Sequence, residues 1–157
     1  MRIGQGIDVH RFSAEEGRPL QLGLIHIPDF AGLAGHSDAD VATHALCDAL
    51  LGAANLGDLG RHFPDTDPKI ANIASSKLLS EIVEKVAAAG FEIESADVTI
   101  IAEKPKLASY MPAMSEALSK IVGCTVSVKA TTAEGLGALG RVEGIGAMSV
   151  ALLKEAL

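Results

Sequence analysis

At 157 residues the chain has the length of one domain, with a core that must be aliphatic because there is no Trp, one Tyr and only four Phe. A formal charge of −7 argues against generic binding to nucleic acid or anionic membrane, both of which need clustered Lys and Arg. No apolar run is long enough for a membrane span and no signal or transit pattern opens the chain; Cys47 and Cys124, far apart, read as reduced thiols, so a soluble cytoplasmic protein is expected.

Residues 2–10, RIGQGIDVH, alternate as a strand, with Ile7 and Val9 on one side and Asp8 and His10 on the other. LQLGLIHI at 20–27 reads as a second strand, ended by Pro28. The glycine-punctuated loop 31–40 follows, in which Ser37 or Asp38 suits a helix cap. In the next helix Ala42, Ala45, Leu46, Ala49, Leu50 and Ala53 form one apolar stripe. Asp40, His44 and Asp48 follow at i+4 on the opposite side, which places His44 off the core stripe. Residues 55–68 read as a loop rich in turn formers and carboxylates. A second helix is expected from Ser75 or Ser76 through Ala89, closed by Gly90. DVTIIAEK (97–104) reads as a strand ending at Pro105. A third helix over Tyr110 to Val122 buries Met111, Met114, Leu118 and Ile121, with Pro112 in its first turn. TVSVKATT (125–132) alternates as a strand and runs into the glycine-rich AEGLGALGRVEGIG, and the last fifteen residues suit strand or helix equally. With no repeat and no linker, one α/β domain of mixed order is expected over residues 1–157.

Asp8 and His10, at i and i+2 on one face of a strand, have Cα atoms about 6.5 Å apart and can converge on one ion. With His44 they would make the three-ligand, one-open-position set of a catalytic Zn²⁺. Taken alone, Asp-x-His is more often a strand-end histidine beside a turn aspartate. HSDADVATH (36–44) packs two histidines, two aspartates and a serine into nine residues. It suits a solvated helix start as well as a phosphate held by His36, Ser37 and free backbone N–H groups. Asp58 suits Mg²⁺ or a substrate hydroxyl, though an acidic surface loop is the commoner case. KATTAEGLG (129–137) offers Lys129, two hydroxyls, a carboxylate and glycine amides, a combination suited to a diphosphate with Mg²⁺, without being a Walker A sequence. Lys106 and Arg141, single cations, read by default as solvated surface.

Taken in order, RIGQGIDVH, HSDADVATHALCDALLGAANLGDLG, FPDTDP, DVTIIAEKPKL, VKATTAEGLG and GRVEGI closely resemble the 2-C-methyl-D-erythritol 2,4-cyclodiphosphate synthase family along nearly the whole chain. The resemblance implies an α/β (α+β) subunit with a four-stranded mixed sheet flanked by helices. It also implies a homotrimer with active sites at subunit interfaces. The reaction implied belongs to the non-mevalonate isoprenoid pathway: the 2-phosphate of 4-diphosphocytidyl-2-C-methyl-D-erythritol 2-phosphate attacks the β-phosphorus, and CMP leaves.

Carried over residue by residue, Asp8, His10 and His44 are the implied ligands of Zn²⁺ or another divalent transition metal. Glu134 is the implied holder of Mg²⁺ or Mn²⁺. His36 and Thr132 match catalytic positions, and Ser37 and Thr131 match phosphate contacts. Asp58, Leu59 and Gly60 match contacts to the erythritol hydroxyls. Phe63, Pro64, Asp65, Thr66 and Asp67 match a loop over the substrate, as do Ala102, Glu103, Lys104, Pro105, Lys106, Leu107 and Ala108, which take the cytosine with Lys106 facing a neighbour's nucleotide phosphates. Val9 and Ala133 fall among the implied substrate contacts.

Two positions depart from the family pattern. Ala39 stands where glycine is usual, a change tolerated where φ is negative. Ala138 replaces a phenylalanine that, with the counterpart of Arg141, lines an axial cavity able to hold an isoprenoid diphosphate. The competing readings of the same ligand set are a metal-dependent phosphohydrolase and a trimeric binding protein with a structural metal.

Overall fold

The computed structural model of the chain describes residues 1–157 apart from the side chain of Lys69. Its centre is a four-stranded sheet of β1 (Arg2–Arg11), β4 (Phe91–Ile101), β5 (Val126–Thr131) and β6 (Gly144–Glu155), in the order β1-β6-β4-β5. β6 runs antiparallel to both β1 and β4, and β4 and β5 are parallel, so the sheet is mixed. The C-terminal segment is therefore a central strand, which alternation in a short sequence cannot distinguish from helix. The strand expected over 97–104 starts earlier and stops earlier; a register shift between Ile93 and Ser95 breaks the alternation that would have disclosed its first half.

LQLGLIHI is not one strand. It folds into a hairpin of β2 (Leu20–Leu22) and β3 (Ile25–Ile27), turning at Gly23 and Leu24. Both turn residues have positive φ, 56° and 66°, the conformation a two-residue hairpin turn requires.

Helix α1 (Val41–Ala54) lies on the inner face of β1 and β6 because two glycines leave room for it. A Cβ on Gly4 would stand 2.0 Å from the Ala49 carbonyl oxygen, and one on Gly6 1.9 Å from that of Ala45. Sheet and helix backbones thus touch without intervening side chains. α3 (Ser75–Ala88) packs on another side of α1, leaving twelve of its fourteen residues buried. The face carrying Asp40, His44 and Asp48, off the apolar stripe, is covered too: Asp40 is fully buried and His44 is 7% exposed. Asp40, not Ser37 or Asp38, is the N-cap. It accepts from the Thr43 amide and hydroxyl and from the amides of Gly23 and Leu24, so one carboxylate ties the hairpin to the helix. Asp38 instead accepts from the Ser75 amide at 2.8 Å, capping α3 from a distance.

The remaining elements are α2 (Leu59–His62) within the expected loop, a 3-10 turn (Pro68–Ile70) starting at its last residue, α4 (Met111–Val122) and α5 (Gly137–Gly140). α4 buries Met114, Leu118 and Val122, whereas Met111 and Ile121 are only half-buried. Among the described residues no helix is long and apolar enough to cross a membrane.

Candidate metal centre and phosphate pocket

Alternation along β1 turns Gly4, Gly6, Asp8 and His10 inward and leaves Ile3, Ile7 and Val9 exposed. The glycines admit α1, and α1 delivers His44 to Asp8. Asp8 Oδ2 lies 3.0 Å from His10 Nε2 and 3.1 Å from His44 Nδ1, and these three residues make a group whose ligand atoms all fall within 4.8 Å of one another.

Each imidazole is held by its second nitrogen. His10 Nδ1 stands 2.6 Å from the Ala34 carbonyl oxygen, and His44 Nε2 stands 3.2 and 3.1 Å from the hydroxyls of Ser37 and Ser75. Outer contacts of this kind fix the ring orientation of metal-ligating histidines. Two nitrogens and a carboxylate, oriented together and facing a recess, suit a divalent transition ion with an open position. Burial pushes the Asp8 carboxyl up, but hydrogen bonds and charge from His10 and His44 outweigh it and leave its pKa at about 2. Hydrogen bonding to Asp8 raises the pKa of His10 against the opposing effect of burial.

The recess holds about 310 Å³ and is lined by Asp8, His10, His36, Ser37, His44, Asp48, Leu59, Gly60, Phe63 and Asp65, among others. Nine of the residues singled out in the sequence meet in this one recess. Asp58 caps α2, accepting from the Arg61 amide at 2.9 Å. Pro64, Thr66 and Asp67 continue the same loop without lining the recess.

The loops after β4 and β5 lie elsewhere. Thr131, Thr132, Ala133 and Glu134 leave the end of β5, and Ala102–Ala108 leave the end of β4. β1 and β5 are the two edges of the sheet and β4 adjoins β5, so two strand spacings (about 10 Å) separate the β4 loop, and three (about 14 Å) the β5 loop, from the triad at the same end. Within the distant loops the Glu103 carboxylate accepts from the amides of Ala133 and Gly135, both at 3.0 Å, and the Thr132 hydroxyl accepts from the Glu134 amide at 3.2 Å. Lys104 and Lys106 are exposed, Pro105 follows a cis peptide, and Leu107 is buried. Val9 and Ala138 line a separate recess with Leu139 and Glu143, and Arg141 is paired with Glu143 at 2.6 Å.

The condition placed on Ala39 is not met: its φ is +55°, a left-handed conformation costing about 1–2 kcal/mol for a residue with a Cβ. Its amide donates to the Ser37 hydroxyl, its methyl is fully buried and the Asp40 network follows directly, so the surrounding structure holds it there. Sequence reasoning did not place Asp48 in the site. Asp48 lines the recess and accepts from the Leu59 amide at 2.7 Å; its position at i+4 from His44 was the available signal. Burial, and then the charges of Asp58 and Asp8, raise its pKa although the Leu59 amide works against them. Cys47 and Cys124 are both free, and burial pushes the Cys47 thiol well up, as expected for an inert thiol.

The model of the YgbB family matches residues 1–154. The chain is 54% identical over 157 residues to the 2-C-methyl-D-erythritol 2,4-cyclodiphosphate synthase of Desulfatibacillum aliphaticivorans, covering 98% of this chain and all of that one. Among solved structures it resembles the bifunctional IspDF of Campylobacter jejuni, with a TM-score of 0.92 and 43% identity over 98% of this chain and 42% of that one. It also resembles the CDP complex of Plasmodium falciparum IspF, with a TM-score of 0.85 and 28% identity over 99% and 97% of the two chains. Fold, triad and full-length match agree: the chain belongs to the YgbB family of 2-C-methyl-D-erythritol 2,4-cyclodiphosphate synthases.

Proposed function

We propose that the chain closes 4-diphosphocytidyl-2-C-methyl-D-erythritol 2-phosphate into 2-C-methyl-D-erythritol 2,4-cyclodiphosphate. An oxygen of the 2-phosphate attacks the β-phosphorus, the bond from that phosphorus to the α,β-bridging oxygen breaks, and CMP carries the electron pair away. The observation that carries this reading is the convergence of Asp8, His10 and His44 in a recess also lined by His36 and Ser37. A Zn²⁺ or similar ion at the triad, and Mg²⁺ or Mn²⁺ at Glu134, would supply charge neutralisation at the phosphates.

The protein's own part is mainly positioning, since no side chain acts as a nucleophile. His36 and Ser37 meet the phosphates at the start of α1, and Thr131 and Thr132 bring hydroxyls to the transferring group. Asp58, Leu59 and Gly60 hold the erythritol hydroxyls. Phe63 to Asp67 and Ala102 to Ala108 close over the cytidine end, with Lys106 facing the diphosphate.

Those parts meet when three copies assemble, which places one subunit's β4 and β5 loops against its neighbour's triad. The separation of the two half-sites within one chain supports this. So does the exposed apolar face of β1 and β6, where Ile3, Ile7, Val9, Met148 and Val150 are 74, 55, 58, 38 and 47% exposed. Sedimentation at equilibrium is expected to give three chains per particle.

The reaction is tested by ³¹P NMR of the protein with this substrate, Zn²⁺ and Mg²⁺. Two coupled cyclic diphosphate resonances should grow in step with CMP. Release of inorganic phosphate would identify a metal-dependent phosphohydrolase instead, and a folded, zinc-loaded protein that leaves the substrate unchanged would refute the reading.

A further inference from the structure

The loop 33–37 shows an alternation in what its carbonyl groups touch. Those of Leu33, Gly35 and Ser37 all accept from the guanidinium of Arg18: Nε to Leu33 at 2.6 Å, and Nη2 to Gly35 and Ser37 at 2.9 and 2.6 Å. The intervening carbonyls have other partners. That of Ala34 meets His10 Nδ1 at 2.6 Å, and that of His36 accepts from the Asn72 amide at 2.7 Å. The carbonyls gripped by Arg18 alternate along the loop with those that meet His10 and Asn72, so a cation holding the former constrains the direction of the latter. The Arg18 side chain is 13% exposed, whereas its acidic neighbour Glu15 is 68% exposed and 3.5 Å away. The carbonyls, more than the ion pair, therefore hold it. A guanidinium suits this task because its donors form a rigid planar fork and its bonds to carbonyls are charge-assisted.

We propose that Arg18 is a positioning residue for the metal centre: by gripping Leu33, Gly35 and Ser37 it aims the Ala34 carbonyl at His10 and the Ser37 hydroxyl at His44, so that both imidazoles present their other nitrogen beside Asp8. Ala34 is also tied through its amide to the Arg11 carbonyl at 2.8 Å. Residues 35–37 lie beyond that tie and depend more on Arg18. The proposal rests on the reading of Asp8, His10 and His44 as a metal site.

The test is Co²⁺ titration of the metal-stripped protein, followed by its visible d–d bands, for the parent, Arg18→Ala and Arg18→Lys. The parent is expected to bind one Co²⁺ per chain. Arg18→Ala should bind at the same stoichiometry with affinity reduced about 10–100-fold, the usual cost of losing an outer-shell partner, and with altered band intensities. Arg18→Lys should bind more tightly than Arg18→Ala, and millimolar guanidinium should recover part of the loss in Arg18→Ala.

A merely structural role would lower the melting temperature and leave the Co²⁺ affinity of the folded protein unchanged; that result overturns the proposal. Should Arg18→Ala not fold, equal Co²⁺ affinity in Arg18→Lys and the parent overturns it as well. A parent that takes up no Co²⁺ refutes the metal reading itself, and the proposal with it.

Discussion

Asp8 and His44 are 36 positions apart in the chain, yet Asp8 Oδ2 and His44 Nδ1 stand 3.1 Å from each other. What brings them together is the absence of a side chain. Gly6, two residues before Asp8 on the same face of β1, lets the backbone of α1 rest on the strand at Ala45, next to His44.

Gly6→Ala tests that relationship. Its methyl would meet the Ala45 carbonyl oxygen at 1.9 Å, a backbone atom that cannot move aside like a flexible side chain. The helix must lift, at a cost of about 1–3 kcal/mol or more. Urea unfolding should show this loss, together with reduced zinc retention in the fraction that remains folded. Unchanged stability and zinc content would mean that the helix does not bear on the strand there.

His44→Ala should abolish zinc binding and nearly all turnover while leaving the far-UV circular dichroism of the parent. Glu134→Ala should leave zinc in place and weaken the dependence on Mg²⁺. If the Mg²⁺ titration of turnover is unchanged in Glu134→Ala, that residue does not hold the second ion.

Asp48 gives a pH-dependent prediction. Burial and the charges of Asp58 and Asp8 raise its folded-state pKa above the ordinary 3.8. The folded state therefore binds the proton more tightly than the unfolded chain, and ionised Asp48 destabilises the metal-free fold. That penalty is absent below about pH 3.8, appears as pH rises through the folded-state pKa and is complete above it. Asp48→Asn keeps an acceptor for the Leu59 amide. It should melt higher than the parent at pH 7, with the difference closing towards pH 3.8. A difference that is the same at both pH values would assign the effect to packing.

Ser149 lies on the inner face of β6, 1% exposed, and its hydroxyl has no hydrogen-bond partner among the described residues. An unsatisfied buried hydroxyl costs about 1–3 kcal/mol. Ser149→Ala should therefore stabilise the protein by about 1 kcal/mol in urea unfolding, and a destabilisation would mean that the hydroxyl has a partner.

Strand β1, the Asp8–His10–His44 group that could hold a metal and the apolar stripe of α1 are legible in the sequence because side chains alternate or cluster there. What the sequence does not disclose has separate physical causes. The Asp40–His44–Asp48 face of α1 lies off the apolar stripe yet is covered by β1 and α3, which a helix-by-helix reading cannot see. The β2–β3 turn places Leu24 at positive φ, a conformation its residue type does not advertise. Arg18 acts on backbone carbonyls, which carry no sequence signature at all.

Diffraction from zinc-loaded crystals at wavelengths on either side of the zinc absorption edge tests the central claim most directly. The account predicts one anomalous peak per chain, about 2.0–2.2 Å from an oxygen of Asp8 and one nitrogen each of His10 and His44, with a fourth position open to the recess. A peak elsewhere, or a site closed by a fourth protein ligand, would contradict it.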